Sequence, residues 1–139
     1  MRLLFCALVI SIGLSHAALA DKINPPEVFA AQVAEEWLTL MDTEEYAKSW
    51  VESASYFKGA VTQAQWLQSA SAARQPLGSL IRRSLKSANY MTTLPGAPDG
   101  QYVILQYEAE FKNKKYAIET ITPMLDKDGK WRVSGYFIK

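Results

Sequence analysis

The chain has 139 residues and carries 15 lysine or arginine side chains against 14 aspartate or glutamate side chains, a formal net charge of +1. This length suits one domain, and a near-neutral chain without a dense basic block lacks the electrostatic footprint that nucleic-acid binding requires. The only cysteine, Cys6, and the only histidine, His16, both lie near the start of the chain.

Residues 1–20 have the pattern of an export signal. Arg2 supplies a positive charge, the apolar run LLFCALVISIGL follows, and the small residues of SHAALA end at Ala20. An uncleaved anchor is disfavoured because the run is shorter than the ~20 residues that span a membrane, and Cys6 has too little apolar sequence before it for a lipoprotein signal. We therefore expect cleavage after Ala20, an exported protein (periplasmic or secreted) that has no membrane association after cleavage, and a single domain over residues 21–139.

Removal of this segment removes both Cys6 and His16. The mature chain then has no disulfide, no thiolate nucleophile, no imidazole base and no cysteine or histidine with which to bind a metal. We expect neither a metal nor a cofactor.

Residues 24–41 predict the first of three helices. Asn24 is the predicted N-cap, because a proline early in the first turn and a glutamate three residues after the cap are typical of a helix start. The predicted buried face recurs at helical spacing through Phe29, Val33, Trp37, Leu40 and Met41.

Two shorter helices are predicted between Asp42 and Gly78. Asp42 is the predicted cap of a helix that buries Tyr46 and Trp50, and the stretch ESASYFKGA is expected to form a connecting loop. The third helix opens with the capping-box pattern of Thr62 and Gln65 and ends near Gly78. Its predicted buried face consists of Trp66, Ala70 and Ala73.

After Gly78 the apolar period changes from that of a helix to that of a strand. Strand-like runs occupy residues 80–91, 101–111, 115–124 and 130–138, and the turn sequences TTLPGAPDG, KNK and DKDG separate them. Three consecutive hairpins predict a curved, four-stranded antiparallel meander preceded by three helices. The predicted fold class is α+β, with the helices packed on the sheet.

Tight hairpins at KNK and DKDG predict which side chains share a face of this sheet. The face expected under the helices holds Arg83 and no carboxylate, and its apolar members are Ile81, Leu85, Met91, Val103, Leu105, Tyr107, Phe111, Tyr116, Ile118, Met124, Trp131, Val133 and Phe137. The face expected outside holds Glu108, Glu110 and Glu119, interleaved with Tyr90, Tyr102, Ile104, Ile121, Tyr136 and Ile138.

Helices folded against one face of such a sheet resemble the nuclear-transport-factor-2-like, or cystatin-like, cone. The stretches WLTLMDTEEYAKSWVESASYFKGAVTQAQW, RQPLGSLIRRSL, TTLPGAPDGQYVILQYEAEFKNK and ETITPMLDKDGKWRVSGYFIK also resemble a family of small exported bacterial proteins, domain-of-unknown-function family 4019, over residues 34–139. The resemblance implies a cone-like fold and an exported location, and it implies no activity and no site residues.

Arg83 is the one charge expected on the inward face, and a buried guanidinium needs partners. It could pair with a helix acid such as Glu52 or Glu36, or extend from the rim into water. It could also project into a pocket beside Tyr107, with Thr120 and Thr122 as polar neighbours, and bind an anionic or carbonyl-bearing ligand.

Trp50 and Trp66 are the helical candidates for the wall of that pocket. Large aromatic side chains at helical spacing more often form core, however, and a small domain without disulfides needs their burial. We expect them to be mainly core.

The predicted function is a binding or interaction module that binds a small ligand in the cone or a protein partner on the outer face of the sheet. Enzymes on this kind of fold use an acid or a histidine inside the cone, and neither is expected there, so we predict no catalytic residue and no enzymatic activity. The alternatives are a cofactor-free acid/base enzyme (an isomerase, dehydratase or hydrolase) and a purely structural accessory protein. The tyrosine-rich outer face further suggests a homodimer formed through the sheet.

Overall fold

The computed structural model describes residues 25–139, so Asn24 and the predicted export signal lie outside the described residues. Within these residues the chain forms α1 (Pro26–Asp42), α2 (Tyr46–Val51), α3 (Ser55–Ala60), α4 (Gln63–Arg74), a 3-10 turn (Gln75–Leu77), β1 (Leu80–Met91), β2 (Tyr102–Phe111), β3 (Lys114–Leu125) and β4 (Trp131–Ile138). Helices followed by an antiparallel sheet confirm the α+β class. The described helices number four rather than three, because the stretch predicted as a loop contains α3.

The buried face of the first helix, α1, is in part as predicted. Trp37, Leu40 and Met41 are buried, and Val33 is partly buried against the core. Phe29, predicted to be buried, is 45% exposed, and Ala30 and Ala34 are fully buried instead. Alanine side chains let the start of the helix approach the sheet closely.

The predicted capping role of Asp42 is wrong. Asp42 is the last residue of α1, and α2 begins at Tyr46 without a side-chain cap. The reversal between the two helices includes Glu44, which has a positive φ of 59°. Asp42 is therefore free to point its carboxylate toward the sheet.

The predicted start of the last helix, α4, is confirmed. The backbone N–H of Gln65 donates to Thr62 Oγ1 at 3.2 Å, and the backbone N–H of Thr62 donates to Gln65 Oε1 at 3.0 Å. Its buried face is only partly as predicted, because Ala73 is exposed and Arg74 is buried instead.

Gly78 ends the helical part of the chain, as predicted. It has a φ of 72°, and an added Cβ would lie 3.1 Å from both Asn113 Nδ2 and Lys112 Cβ. Glycine is therefore required both by the backbone and by the space available.

The four strands form one antiparallel sheet in the order β1-β2-β3-β4, which confirms the meander. Predicted strand boundaries agree with the structure to within one residue. The β1 strand is an edge of the sheet, and Ile81, Leu85 and Met91, which were predicted to be buried, are 59%, 45% and 39% exposed. The helical layer does not cover this edge fully.

The predicted pairing of β3 with β2 is wrong by one residue over most of its length. Its predicted pairing with β4 is wrong by two residues before Pro123 and by one residue from Pro123 onward. Leu105 pairs with Ile121 rather than with Thr122, and Ile121 pairs with Tyr136. Register shifts next to Phe111 and at Thr122/Pro123 cause this difference, and each one-residue shift moves side chains to the opposite face.

This slip exchanges the two faces of β3 and part of β4. Ala117, Glu119 and Ile121 are fully buried, while Tyr116 is 62% exposed and Phe137 is 60% exposed. The inward face therefore does hold a carboxylate, that of Glu119, contrary to the prediction.

The predicted outer patch of tyrosine and isoleucine side chains is also wrong in part. Tyr102 and Ile121 are buried, and the hydroxyl of Tyr136 contacts the fully buried Glu119. Tyr102 packs in a small cluster with Ala54 and Met124.

A hydrophobic core that contains several aromatic rings lies between the helices and the sheet. The rings of Trp37 and Trp66 are 5.9 Å apart, and Phe57 meets Trp66 edge-on at 5.1 Å. The buried members of this core are Ala30, Ala34, Trp37, Leu38, Met41, Tyr46, Phe57, Trp66, Ala70, Val103, Leu105, Tyr107, Ile121 and Val133. Over residues 25–139, no helix has both the length and the apolar character needed to cross a membrane.

Candidate functional site

Arg83 is held beneath the helical layer by two carboxylates. Its Nη1 and Nη2 atoms donate to Asp42 Oδ2 and Oδ1 at 2.7 and 2.8 Å, a bidentate pair, and its Nε donates to Glu119 Oε1 at 2.7 Å. All three nitrogens of the guanidinium are therefore engaged. This geometry is an ion pair with a helix acid, one of the alternatives left open by the sequence, but the acid is Asp42 and not Glu52 or Glu36.

A second guanidinium, that of Arg74, completes the network. Its Nη2 donates to Asp42 Oδ1 at 2.7 Å, and its Nη1 lies 3.8 Å from Glu119 Oε2. Tyr136 donates its hydroxyl to the same Glu119 oxygen at 2.6 Å. The Arg74 guanidinium also lies over the ring of Phe111, 4.8 Å from its centroid.

The network, defined as Asp42, Arg74, Arg83, Glu119 and Tyr136, joins α1, α4, β1, β3 and β4. The Glu119 side chain is fully buried, that of Arg74 is 3% exposed, and those of Arg83 and Asp42 are 12% and 17% exposed. Two positive and two negative charges balance within it, which makes their removal from water tolerable.

Burial alone would raise the pKa of Asp42, but hydrogen bonds from Arg83 and Arg74 outweigh it and hold that pKa below its ordinary value. Burial likewise opposes the charge of Arg83, yet its hydrogen bonds to Asp42 and Glu119 raise its pKa. Burial, followed by the charge of Glu119, raises the pKa of Tyr136. Asp42 and the arginines therefore stay charged, and Tyr136 stays protonated, throughout the neutral range.

Tyr107 lies beside the network on the inward face of β2. Its hydroxyl is buried and has no hydrogen-bond partner among the described residues, and Arg74 Nε shares this condition. Burial, and then the charge of Glu35, raises the pKa of Tyr107 to about 12. Tyr107 is therefore a neutral phenol at the edge of the ion pairs, close to the position predicted for it.

The tryptophans predicted as pocket walls belong to the helical layer. Trp66 donates its indole N–H to Ser49 Oγ at 2.9 Å, and Trp50 donates to the backbone oxygen of Val61 at 2.8 Å. Trp37 provides the link to the network, because its ring lies 5.4 Å from that of Tyr136. Trp66 thus links α4 to α2, and Trp50 links α2 to the segment between α3 and α4; neither indole hydrogen-bonds to the network.

A polar cleft of about 370 Å³ opens where the network reaches the surface. Asp42 and Arg74 line it together with Met41, Thr43, Glu44, Tyr46, Gly78 and Ser79. We call it the network cleft. Its wall is the chain reversal after α1 on one side and the exit from α4 on the other, which explains why local sequence patterns did not reveal it.

Glu119 accepts hydrogen bonds from Arg83 and Tyr136 and has no exposed surface. Across residues 25–139, no group of three or more histidine, cysteine, aspartate or glutamate side chains is arranged to hold a metal ion.

Sequence reasoning missed Glu119 because of the register slip and Asp42 because its position was read as a cap. The signal that could have found them is charge balance: a guanidinium expected under the helices required a carboxylate there as well.

The comparisons with known proteins identify a family but no function. A family model described as "Protein of unknown function (DUF4019)" matches residues 33–136. This range includes every member of the ion network. No curated protein matches the chain.

Proposed function

The chain belongs to the DUF4019 family of proteins of unknown function, and within that family we propose that it is an exported, non-catalytic binding protein. The proposed ligand is a small polar molecule held in the network cleft. The observation that carries this proposal is that Asp42 and Arg74, both anchored in the buried ion network, also line an open polar cleft. Rigid polar groups at the base of a concave site are what ligand recognition needs.

The lining of the network cleft favours a ligand rich in hydrogen-bond donors. The carboxylates of Asp42 and Glu44 accept hydrogen bonds, and the hydroxyls of Tyr46 and Ser79 can both donate and accept. Hydroxyl or ammonium groups on a ligand would pair with these carboxylates. A sugar-like or amine-bearing small molecule fits this pattern.

Binding is favoured over acid/base catalysis because of how the acids are held. Asp42 receives hydrogen bonds from both Arg74 and Arg83, and a carboxylate whose pKa is lowered in this way is a weak base. A cofactor-free enzyme would have to use Glu44 as its base.

A thermal-shift screen tests the proposed ligand site. We expect at least one compound in a panel of monosaccharides, amino acids and polyamines to raise the Tm of the protein. The variant Ser79→Trp, which fills the network cleft, should lose that shift, whereas Ser69→Trp, on the exposed side of α4, should keep it. A panel without any stabilising compound, or a shift that survives in Ser79→Trp, would contradict the proposed site.

Export is part of the same proposal and has a separate test. N-terminal sequencing of the protein recovered outside the cytoplasm should begin at Asp21. A protein that retains Met1, or that stays in the cytoplasm, would contradict it.

A homodimer through the outer sheet face is a second candidate, favoured by two exposed aromatic side chains. Tyr116 and Phe137 lie on that face, beside the ion pairs Arg82–Glu110 and Lys86–Glu108. The face therefore carries both positive and negative side chains. A face with both signs can complement a second copy of itself about a two-fold axis. Sedimentation velocity should show a dimer that Phe137→Asp converts to monomer, and a monomer at all concentrations would exclude it.

A further inference from the structure

The network cleft carries a negative charge that its own cation does not balance. Asp42 and Arg74, which line the cleft, belong to the network, in which two guanidinium groups already balance two carboxylates. Glu44 also lines the cleft, and its carboxylate forms no ion pair with another residue of the described part of the chain. The cleft therefore favours a cation over an anion.

Tyr46 presents an unpaired hydroxyl to the same cleft. The residue is 6% exposed and its ring packs in the hydrophobic core, yet it lines the cleft. Over residues 25–139 its hydroxyl has no hydrogen-bond partner, and unlike the hydroxyl of Tyr107 it is not sealed from solvent. Burial, and then the charge of Glu44, raises the pKa of Tyr46, so the phenol is neutral and lies within reach of that charge. This hydroxyl is available to a ligand.

Asp42 is the third acceptor at the cleft. Its carboxylate accepts three hydrogen bonds, two from Arg83 and one from Arg74. A carboxylate has about four lone-pair sites, so one site remains on Oδ2. The Asp42 side chain is 17% exposed, and a further donor in the cleft can therefore pair with it.

The rest of the lining favours hydroxyl groups on a ligand over an alkyl chain. Among the described residues that line the cleft, Met41 has the one aliphatic side chain, and Thr43, Gly78 and Ser79 complete the walls. The volume of about 370 Å³ lies near the lower limit of the ~300–1,000 Å³ that small-molecule sites occupy. A single sugar-sized molecule fits this space better than an oligomer.

We propose that the network cleft binds a small hydroxylated primary amine, such as an amino sugar. The ammonium group donates to the carboxylate of Glu44, to the hydroxyl oxygen of Tyr46 and to Asp42, and the hydroxyl groups of the ligand pair with Ser79. An ammonium group has as many N–H donors as this cleft has available acceptor groups. This ligand class deepens the proposed function, on which it rests, since it concerns the same cleft.

NMR chemical-shift titration of the purified protein with D-glucosamine, D-glucose and D-glucuronic acid tests this ligand class. The three sugars have similar rings and differ in charge at about pH 6, where an amine is protonated and a carboxylic acid is ionised. We expect the dissociation constant of glucosamine to be about tenfold lower than that of glucose, because charge-assisted hydrogen bonds are the stronger ones. Glucuronic acid should bind more weakly than glucose.

Conservative variants locate the ammonium group. Glu44→Gln should weaken glucosamine binding by about fivefold and leave glucose binding unchanged, since it removes the charge and keeps the shape. The matched control Glu45→Gln changes the next residue, which is exposed and outside the lining, and should alter neither. Tyr46→Phe keeps the buried ring and should weaken glucosamine binding by about threefold through loss of the hydroxyl.

Four results would overturn this ligand class: glucose or glucuronic acid binding as tightly as glucosamine, an unchanged dissociation constant in Glu44→Gln, an equal loss in Glu45→Gln, or no binding of glucosamine at about 50 mM. The proposed function would survive them if another compound raises the Tm and loses that shift in Ser79→Trp. Glucosamine that still binds to Ser79→Trp would instead contradict both.

Discussion

Arg83 reaches across the middle of the sheet to donate from Nε to Glu119 Oε1 at 2.7 Å, although β2 lies between their strands. The β2 residue opposite Arg83 is Ala109, whose own partner on β3 is Ala117. Two small side chains in this row leave room for the guanidinium. Because Arg83 also holds Asp42, it connects β3 to the end of α1 from an edge strand.

Replacing Glu119 by glutamine should lower the free energy of unfolding by about 3–5 kcal/mol, because a buried guanidinium loses its charged partner. Urea denaturation measures this change. Glu108→Gln is the matched control, since Glu108 is paired with Lys86 on the exposed face and its loss should cost less than about 1 kcal/mol. Equal losses in the two variants would mean that the network contributes no more than a surface ion pair.

Part of the loss of stability in acid should come from protonation of Asp42. Its pKa in the folded protein lies below the ordinary 3.8, so its ion pairs stabilise the protein above that value, and this contribution is lost as pH falls through the folded pKa. Denaturation at pH 7 and at several lower values should show a decline that begins near about pH 5. Asp42→Asn should be less stable at neutral pH and show a shallower acid decline, and Asp99→Asn should follow the unmodified protein. A curve for Asp42→Asn that is parallel to that of the unmodified protein would contradict this assignment.

Glu44→Gly should stabilise the protein by about 0.5–1 kcal/mol. Glycine removes the strain of a left-handed backbone at this position, and this gain exceeds the stability lost because glycine raises the conformational entropy of the unfolded chain. The matched control is Glu45→Gly at an ordinary φ of −83°, which should destabilise it. Thermal or urea unfolding measures both. If Glu44→Gly is instead destabilising, the glutamate side chain makes a contribution larger than the strain.

Loss of the hydroxyl of Tyr136 and loss of that of Tyr107 should have different effects on the free energy of unfolding. Tyr136→Phe leaves a buried oxygen of Glu119 without its donor and should cost about 1–3 kcal/mol, whereas Tyr107→Phe removes an unpaired buried hydroxyl and should be near neutral or stabilising. Equilibrium unfolding of both variants checks this. A comparable loss in Tyr107→Phe would indicate that a bound water or ligand pairs with its hydroxyl.

Local patterns in the sequence were sufficient for the class and the order of elements. The capping box at Thr62, the stop at Gly78 and the period-two runs after it depend on residues that are close along the chain, and the structure has them where they were predicted. The inward direction of Tyr107 followed from the same alternation in β2, which contains no bulge before its end.

Only the tertiary structure decided where the buried carboxylates lie. The face of Glu119 depends on register shifts of a single residue, and the alternation of apolar and polar residues does not mark where such a shift occurs. The pairing of Asp42 with Arg83 joins residues 41 positions apart, and it depends on how the end of α1 meets β1. The network and the cleft beside it therefore arise from packing between elements, which is a property that no local pattern in the chain records.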